Sequence, residues 1–308
     1  MVTGAPKRLS RIVSLASAMT LGLAAIMPTS TMAAAYASPQ PPASHWITST
    51  NYRYPGNDGK HHAVSWDKYS YMIDDHHLNI WSGEVHYWRL PSPHQWRDVL
   101  QKMKAAGFNA VSFYFFWGYH QSAPDSPFDF SGIRNIDLLL RMAAEEGLYV
   151  IARPGPYINA EISMGGMPAW QTNSSLPLRN AWDNTNWQQQ RAWLHAVNKI
   201  IARHQVTNGG GSVLLYQVEN EELASVGPYA DYVKKIIKAA KEDGINVPIF
   251  HNDYAPVGNW AFTTKDTGLD VYSYDDYPIR FDCSATRHKL QDHNWHIDPA
   301  FRAAHHSP

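Results

Sequence analysis

From residue 78 onward, short apolar and β-branched runs alternate with amphipathic stretches, each pair taking up about 35 to 45 residues. No other feature restricts the fold as much, because strands that alternate with helices pair in parallel. Runs at 78–87, 108–116, 148–152, 212–218, 247–250 and 269–274 are expected as strands. Stretches 92–106, 133–146, 187–204 and 229–243 are expected as helices. Ser92 can cap the first helix with Pro93 in its opening turn, and Gly107, Gly147 and Gly244 stand where three of the helices stop. A doubly wound sheet usually carries a glycine-rich phosphate loop after its first strand, and the chain has none. Polar and aromatic residues instead crowd the C-terminal ends of successive strands, where a (β/α)8 barrel keeps its active site. The spacing predicts an α/β fold of the (β/α)8 TIM-barrel type, truncated after about six of its eight strands.

The flanks read differently. Lys7, Arg8 and Arg11 open the chain, Ile12 to Ile26 is mostly apolar and small, and Ala35-Tyr36-Ala37 has the small-x-small form of a cleavage site. Residues 1–37 are therefore expected to be a signal peptide, which makes the protein secreted or periplasmic. The apolar run is too short to span a bilayer and is interrupted by Ser14, Ser17 and Thr20, so no membrane segment is expected in the mature form. Residues 38–64 read as a linker and N-terminal loop segment, and Pro55-Gly56 and Asp58-Gly59 are turn signals that point to loops and a short hairpin within residues 45–75. Residues 65–283 are expected to form the partial barrel, and 284–308 an irregular histidine-rich tail.

Removing Lys7, Arg8 and Arg11 from 26 basic residues leaves 23 against 27 acidic ones, a net charge of −4. Nucleic acid is excluded as a partner on that ground, since phosphate binding needs a basic face. A neutral small molecule fits. Cys283 is the only cysteine, so its thiol is a reactive group, half of an intermolecular bridge, or the partner of a cysteine outside this chain.

Three strand ends carry the chemistry. The second strand runs into Phe113-Tyr114-Phe115-Phe116-Trp117, and the third into Arg153-Pro154-Gly155-Pro156-Tyr157-Ile158-Asn159-Ala160-Glu161. The fourth ends in Gln217-Val218-Glu219-Asn220-Glu221-Glu222. In a barrel these loops share one mouth, where amides and carboxylates can grip hydroxyls and rings can stack on a pyranose. Hydrolysing a glycosidic bond needs a carboxylic acid for the leaving oxygen and a second carboxylate. Glu221 can be that acid if burial or a nearby negative charge, from Glu161 or Glu219, keeps it protonated. Asn220 can donate to a hydroxyl beside the reacting carbon. The competing reading makes Glu219, Glu221 and Glu222 a solvated helix N-terminus. Histidine pairs 61–62, 76–77 and 305–306 read as solvated surface, because none offers a helical pair with a third ligand. Trp117 and Trp170 follow site loops, and stacking on sugar or packing in the core remain equal alternatives for them.

Trp81-Ser82-Gly83-Glu84-Val85-His86-Tyr87-Trp88-Arg89-Leu90-Pro91, the Arg153–Glu161 segment and Gln217–Glu221 together resemble glycoside hydrolase family 35, the β-galactosidases, over roughly residues 65 to 283. The resemblance implies a retaining hydrolase that releases terminal β-linked galactose from oligosaccharides or polysaccharides, without metal or cofactor. It implies Glu221 as acid/base, and Asn220 on the hydroxyl next to the anomeric carbon. It implies Tyr114, Asn159, Ala160, Glu161 and Tyr277 as further substrate contacts. Two departures stand out. Glu222 replaces the aromatic residue that usually follows Asn-Glu, and no segment matches the family's nucleophile, a glutamate on the seventh strand. No glutamate follows Cys283. Glu161 is the obvious substitute carboxylate, but the resemblance gives it a hydroxyl-binding role, and Asp275 and Asp276, which close the sixth strand, are poorly placed. A galactose-binding remnant without activity and a truncated gene fragment are the alternatives to an enzyme. Cys283 agrees with the latter, since some relatives form a disulfide in this region.

Overall fold

The computed structural model describes residues 58–67, 69–173, 178–223, 227–254, 258–260 and 267–275. Three short strands come first: β1 (Val64–Trp66), β2 (Tyr71–Ile73) and β3 (His76–Leu78), paired antiparallel in that order. Ile73 pairs with His76, so the β2–β3 loop is only Asp74 and Asp75. Both have positive φ, 50° and 63°, as a two-residue turn matched to the strand twist requires. Asp is one of the few residue types that tolerates that conformation.

A second sheet holds β4 (Ser82–Val85), β5 (Ala110–Tyr114), β6 (Tyr149–Arg153), β7 (Val213–Gln217), β8 (Ile249–Asp253) and β9 (Val271–Tyr274). All neighbours are parallel, and their order in space is their order in sequence. A doubly wound sheet reverses its order at a switch point. This one does not, which is the progression of a (β/α)8 wall. Among the described residues the sheet has six strands and β4 does not pair with β9.

Helices fill the connections where the pattern places them. α1 (Pro93–Ala105) is capped by Ser92, whose hydroxyl accepts from Gln95 N at 3.4 Å. After the single turn α2 (Trp117–His120), α3 (Ile136–Glu145) starts at Asn135, which accepts from Leu138 N at 2.9 Å. α4 (Asn184–Ile201) starts three residues earlier than the periodicity predicts, because Asp183 accepts from Asn186 N at 2.7 Å and caps it there. α5 (Gly227–Glu242) packs on α4, and the side chain of Asp243 ties the two. Its carboxylate accepts from both Arg191 terminal nitrogens at 2.8 and 2.9 Å and from Asn198 at 3.1 Å. Trp96, Leu100, Leu139, Leu140, Trp193, Leu194, Val197 and Ile236 are fully buried between helices and sheet.

The run 78–87 is not one strand. Leu78 ends β3, β4 is confined to Ser82–Val85, and Tyr87–Arg89 turns into a short 3₁₀ helix. The side chain of Asn109 explains the break: its Oδ1 accepts from Trp81 N at 2.8 Å and its Nδ2 donates to Asn79 O at 2.7 Å. A side-chain amide there takes the backbone bonds that a continuing ladder would make.

Candidate active site

Parallel strands in register bring their C-terminal ends to one edge, and the polar residues of that edge form a connected network. Arg153, the last residue of β6, spans three neighbours. Its Nη1 donates to Glu84 Oε2 on β4 at 3.0 Å, and its Nη2 donates to Asn220 Oδ1 after β7 at 2.6 Å. Its guanidinium carbon lies 3.9 Å from the centre of the Tyr114 ring on β5. Burial pushes the Glu84 carboxyl up, but a hydrogen bond from His86, the Arg153 charge and a hydrogen bond from Tyr114 outweigh it and hold the carboxyl below its ordinary value.

The loop after β7 is built to an unusual degree from strained backbone. Glu219 and Glu221 both have positive φ, 58° and 49°. Such conformations persist only where the surroundings over-determine them, and here they do. Glu219 is 1% exposed, and its carboxylate accepts from Arg179 Nε at 2.9 Å and Nη2 at 2.5 Å and from Asn220 N at 2.6 Å. Arg179 also donates to Asn220 O at 2.6 Å, lies 4.1 Å over the Tyr157 ring, and pairs with Glu222 at 3.4 Å. Burial raises the Glu219 carboxyl to about 7 against the opposing pull of Arg179. Glu222 N donates to His251 Nε2 at 3.1 Å, while His251 Nδ1 reaches Val218 O at 2.9 Å, so Nδ1 carries the proton. Glu219 and Glu222 are therefore buried and partnered. The solvated helix N-terminus does not describe this loop.

Glu221 is half-buried. Its backbone N donates to Asn252 Oδ1 on β8 at 3.3 Å, and Asn220 Nδ2 stands 3.4 Å from its Oε2. Asn252 in turn accepts from Gln217 at 2.7 Å and donates to Asp275 Oδ2 at 2.9 Å. Asp275 follows β9 and hydrogen-bonds the Glu221 carboxyl directly. Burial, that hydrogen bond and the charge of Asp275 raise Glu221 to about 7. The neighbour that holds the proton on Glu221 is thus Asp275. It is not Glu161 or Glu219, which the sequence suggested.

Asn159, Ala160 and Glu161 form a second strained run, with φ of 55°, 53° and 48° in succession. Arg89 Nη2, in the 3₁₀ helix after β4, donates to the carbonyls of Ala160 at 3.1 Å and Glu161 at 3.4 Å, which pins the run. Ala160 is buried against Tyr114 and Ile158 with Trp88 beside them, while Glu161 is exposed and Asn159 half-buried. Tyr277, Asp276 and Cys283 lie outside the described residues. Trp117 is core: it is fully buried, stacks on Trp193 at 6.3 Å and meets Trp170 edge to face at 5.7 Å. An open cavity of about 680 Å3 adjoins the loop on its Glu222 side, lined by Tyr157, Ile162, Met164, Arg179, Leu223 and Tyr229. Among the described residues no group of three His, Cys, Asp or Glu could hold a metal ion.

Of the residues expected from the sequence, the structure brings Asn220 and Glu221 together on this edge, and sequence reading missed Arg153, Arg179, Asn252 and the contact of Asp275 with Glu221. Arg153 was within reach, since a charged residue ending an otherwise apolar strand needs a partner. Arg179 sits in a loop 40 residues before its carboxylate, and nothing local marks it.

The architecture agrees with what comparison finds. The family model for glycosyl hydrolases family 35 matches residues 70–305. A protein of Aspergillus clavatus described as a probable beta-galactosidase C is 43% identical over 235 residues, 73% of this chain and 24% of that protein. A protein of Aspergillus fumigatus with the same description is 42% identical over 236 residues, 74% of this chain and 24% of that protein. The chain spans about a quarter of the length of these curated relatives. Among solved structures, an exo-beta-1,4-mannosidase from an Opitutaceae bacterium superposes with a TM-score of 0.52 at 15% identity, covering 66% of this chain and 39% of that one, a likeness of fold alone. With the family model matched across the sheet and both strained loops, the chain belongs to glycosyl hydrolases family 35.

Proposed function

We propose that the chain acts on terminal β-linked galactose by the retaining route, with Glu221 as the acid/base. The observation that carries this reading is the setting of Glu221: half-buried on the C-terminal edge of a parallel sheet, in contact with Asp275, and raised to about 7. A carboxyl there holds its proton near neutrality and can give it to a leaving oxygen, then take one from water. Asn220 contacts the hydroxyl beside the anomeric carbon, and Tyr114, Asn159, Ala160, Glu161 and Tyr277 hold the rest of the sugar. The description of the Aspergillus relatives as probable beta-galactosidases supports galactose as that sugar. The leader-like residues 1–37 support export, and no helix among the described residues is long and apolar enough to cross a membrane.

Asp275 does not serve as nucleophile in this reading. It hydrogen-bonds Glu221, whereas a retaining pair stands about 5 to 5.5 Å apart. That contact favours a second reading, galactose binding without turnover. One experiment separates the two. Release of nitrophenol from a nitrophenyl β-galactoside by the purified chain, lost in Glu221→Gln, supports hydrolysis. No release, with saturable galactose binding lost in Glu161→Ala, supports the second reading. Neither release nor binding overturns both.

A further inference from the structure

The side-chain amide of Asn220 is symmetric in shape but not in chemistry: one end accepts and the other donates. Its Oδ1 accepts from Arg153 Nη2 at 2.6 Å and lies 3.5 Å from Gln217 Nε2, while its Nδ2 faces Glu221 Oε2 at 3.4 Å. Turned over, the amide would set NH2 against guanidinium, donor against donor. Arg153 cannot adapt, because a guanidinium has no acceptor. Nor can it move aside. Its Nη1 is held by Glu84 at 3.0 Å, its plane covers the Tyr114 ring at 3.9 Å, and its Nε stays buried without a partner, so the two Nη contacts fix its pose.

We propose that Arg153 is a positioning residue that fixes the Asn220 amide with its NH2 toward the substrate, so that the site demands a hydroxyl acceptor on the carbon beside the anomeric centre. The inference rests on the assignment of Asn220 as the contact to that hydroxyl. Arg153 need not touch the sugar. Its effect is selective: a sugar lacking that hydroxyl gains nothing from a correctly turned amide. Loss of Arg153 therefore weakens galactose and largely spares 2-deoxygalactose, whereas simple loosening of the loop weakens both alike.

The test is calorimetric titration of the full 308-residue chain with galactose and with 2-deoxygalactose, in wild type, Arg153→Met and Arg153→Lys. Arg153→Met is expected to weaken galactose about tenfold and 2-deoxygalactose no more than threefold, with Arg153→Lys, which keeps a donor, between it and wild type. Equal weakening of both sugars overturns the inference. A second readout needs no ligand: the side-chain amide signals of Asn220 in 15N–1H spectra, identified by their loss in Asn220→Asp. They shift in Arg153→Met if the contact sets the amide, and unmoved signals overturn it. A wild type that binds neither sugar brings down the proposed function instead, and the amide signals then decide this inference alone.

Discussion

The carboxyl of Asp275, just past β9, hydrogen-bonds the carboxyl of Glu221, two strands away after β7, and Asn252 on the strand between them accepts from the Glu221 backbone N and donates to Asp275. Like charges in contact cannot both ionise cheaply, and Glu221 is raised to about 7. Replacing Asp275 with Asn removes the charge and leaves the burial. The midpoint of Glu221, followed by the 13C shift of its carboxyl, is expected to fall by about one unit or more, still above that of an exposed glutamate. For any reaction that needs Glu221 protonated, the alkaline limb of the pH profile moves to lower pH with it. An unmoved midpoint would mean that burial alone holds the proton.

How far the sequence reaches is clearest around this pair. Glu221 and Asn220 are legible because they end an apolar run that can only be an inner strand, and a polar group there must face the sheet edge. Asp275 was visible as a residue but not as a neighbour: its contact depends on β7, β8 and β9 lying side by side, which no local pattern encodes. The helices were legible from periodicity, and the start of α4 moved only because Asp183 caps it. The strand expected over 78–87 failed for a long-range reason, the amide of Asn109. The β1–β3 sheet was not legible: the turn signals Pro55-Gly56 and Asp58-Gly59 precede β1, its tight turn is Asp74-Asp75, and three-residue strands carry too little alternation to read.

Arg179 neutralises Glu219, whose side chain has no solvent exposure. Removing one partner of a buried pair leaves the other uncompensated, at a cost of about 3 to 5 kcal/mol. Arg179→Met is expected to lose about that much in urea unfolding, and Glu219→Gln in the same background to restore about half, because Gln can still accept from Asn220 N. No recovery in the double variant would place the loss in the Tyr157 stacking instead.

Gly165 and Gly132 have nearly the same φ, 55° and 53°, but different surroundings. A Cβ on Gly165 would stand 2.1 Å from Tyr157 Cε2, while one on Gly132 would meet nothing within 4 Å. Gly132→Ala therefore costs only the left-handed backbone, about 1 kcal/mol. Gly165→Ala adds displacement of the Tyr157 ring from Arg179 and is expected to cost about 2 kcal/mol more. Unfolding midpoints of the two variants measure the difference, and equal losses would show that the ring moves freely.

His251 is fully buried, and burial lowers it to about 4. The unfolded chain takes up this proton near pH 6.5 but the native chain only near pH 4, so native stability is lost as pH falls through that window. The loss from this residue approaches about 3 kcal/mol. Glu219 and Glu221, raised to about 7, act in the opposite sense, each costing stability as pH rises from the ordinary glutamate range toward 7. The wild-type slope therefore mixes opposing contributions, and a comparison of variants isolates one. Gln in place of His251 can still donate to Val218 O and accept from Glu222 N, but it does not titrate. The stability of His251→Gln relative to wild type is expected to rise by about 2 to 3 kcal/mol between pH 7.5 and pH 4.5. Unfolding in urea at the two pH values measures it, and a constant difference would show that His251 takes up its proton in the native protein over the same pH range as in the unfolded chain.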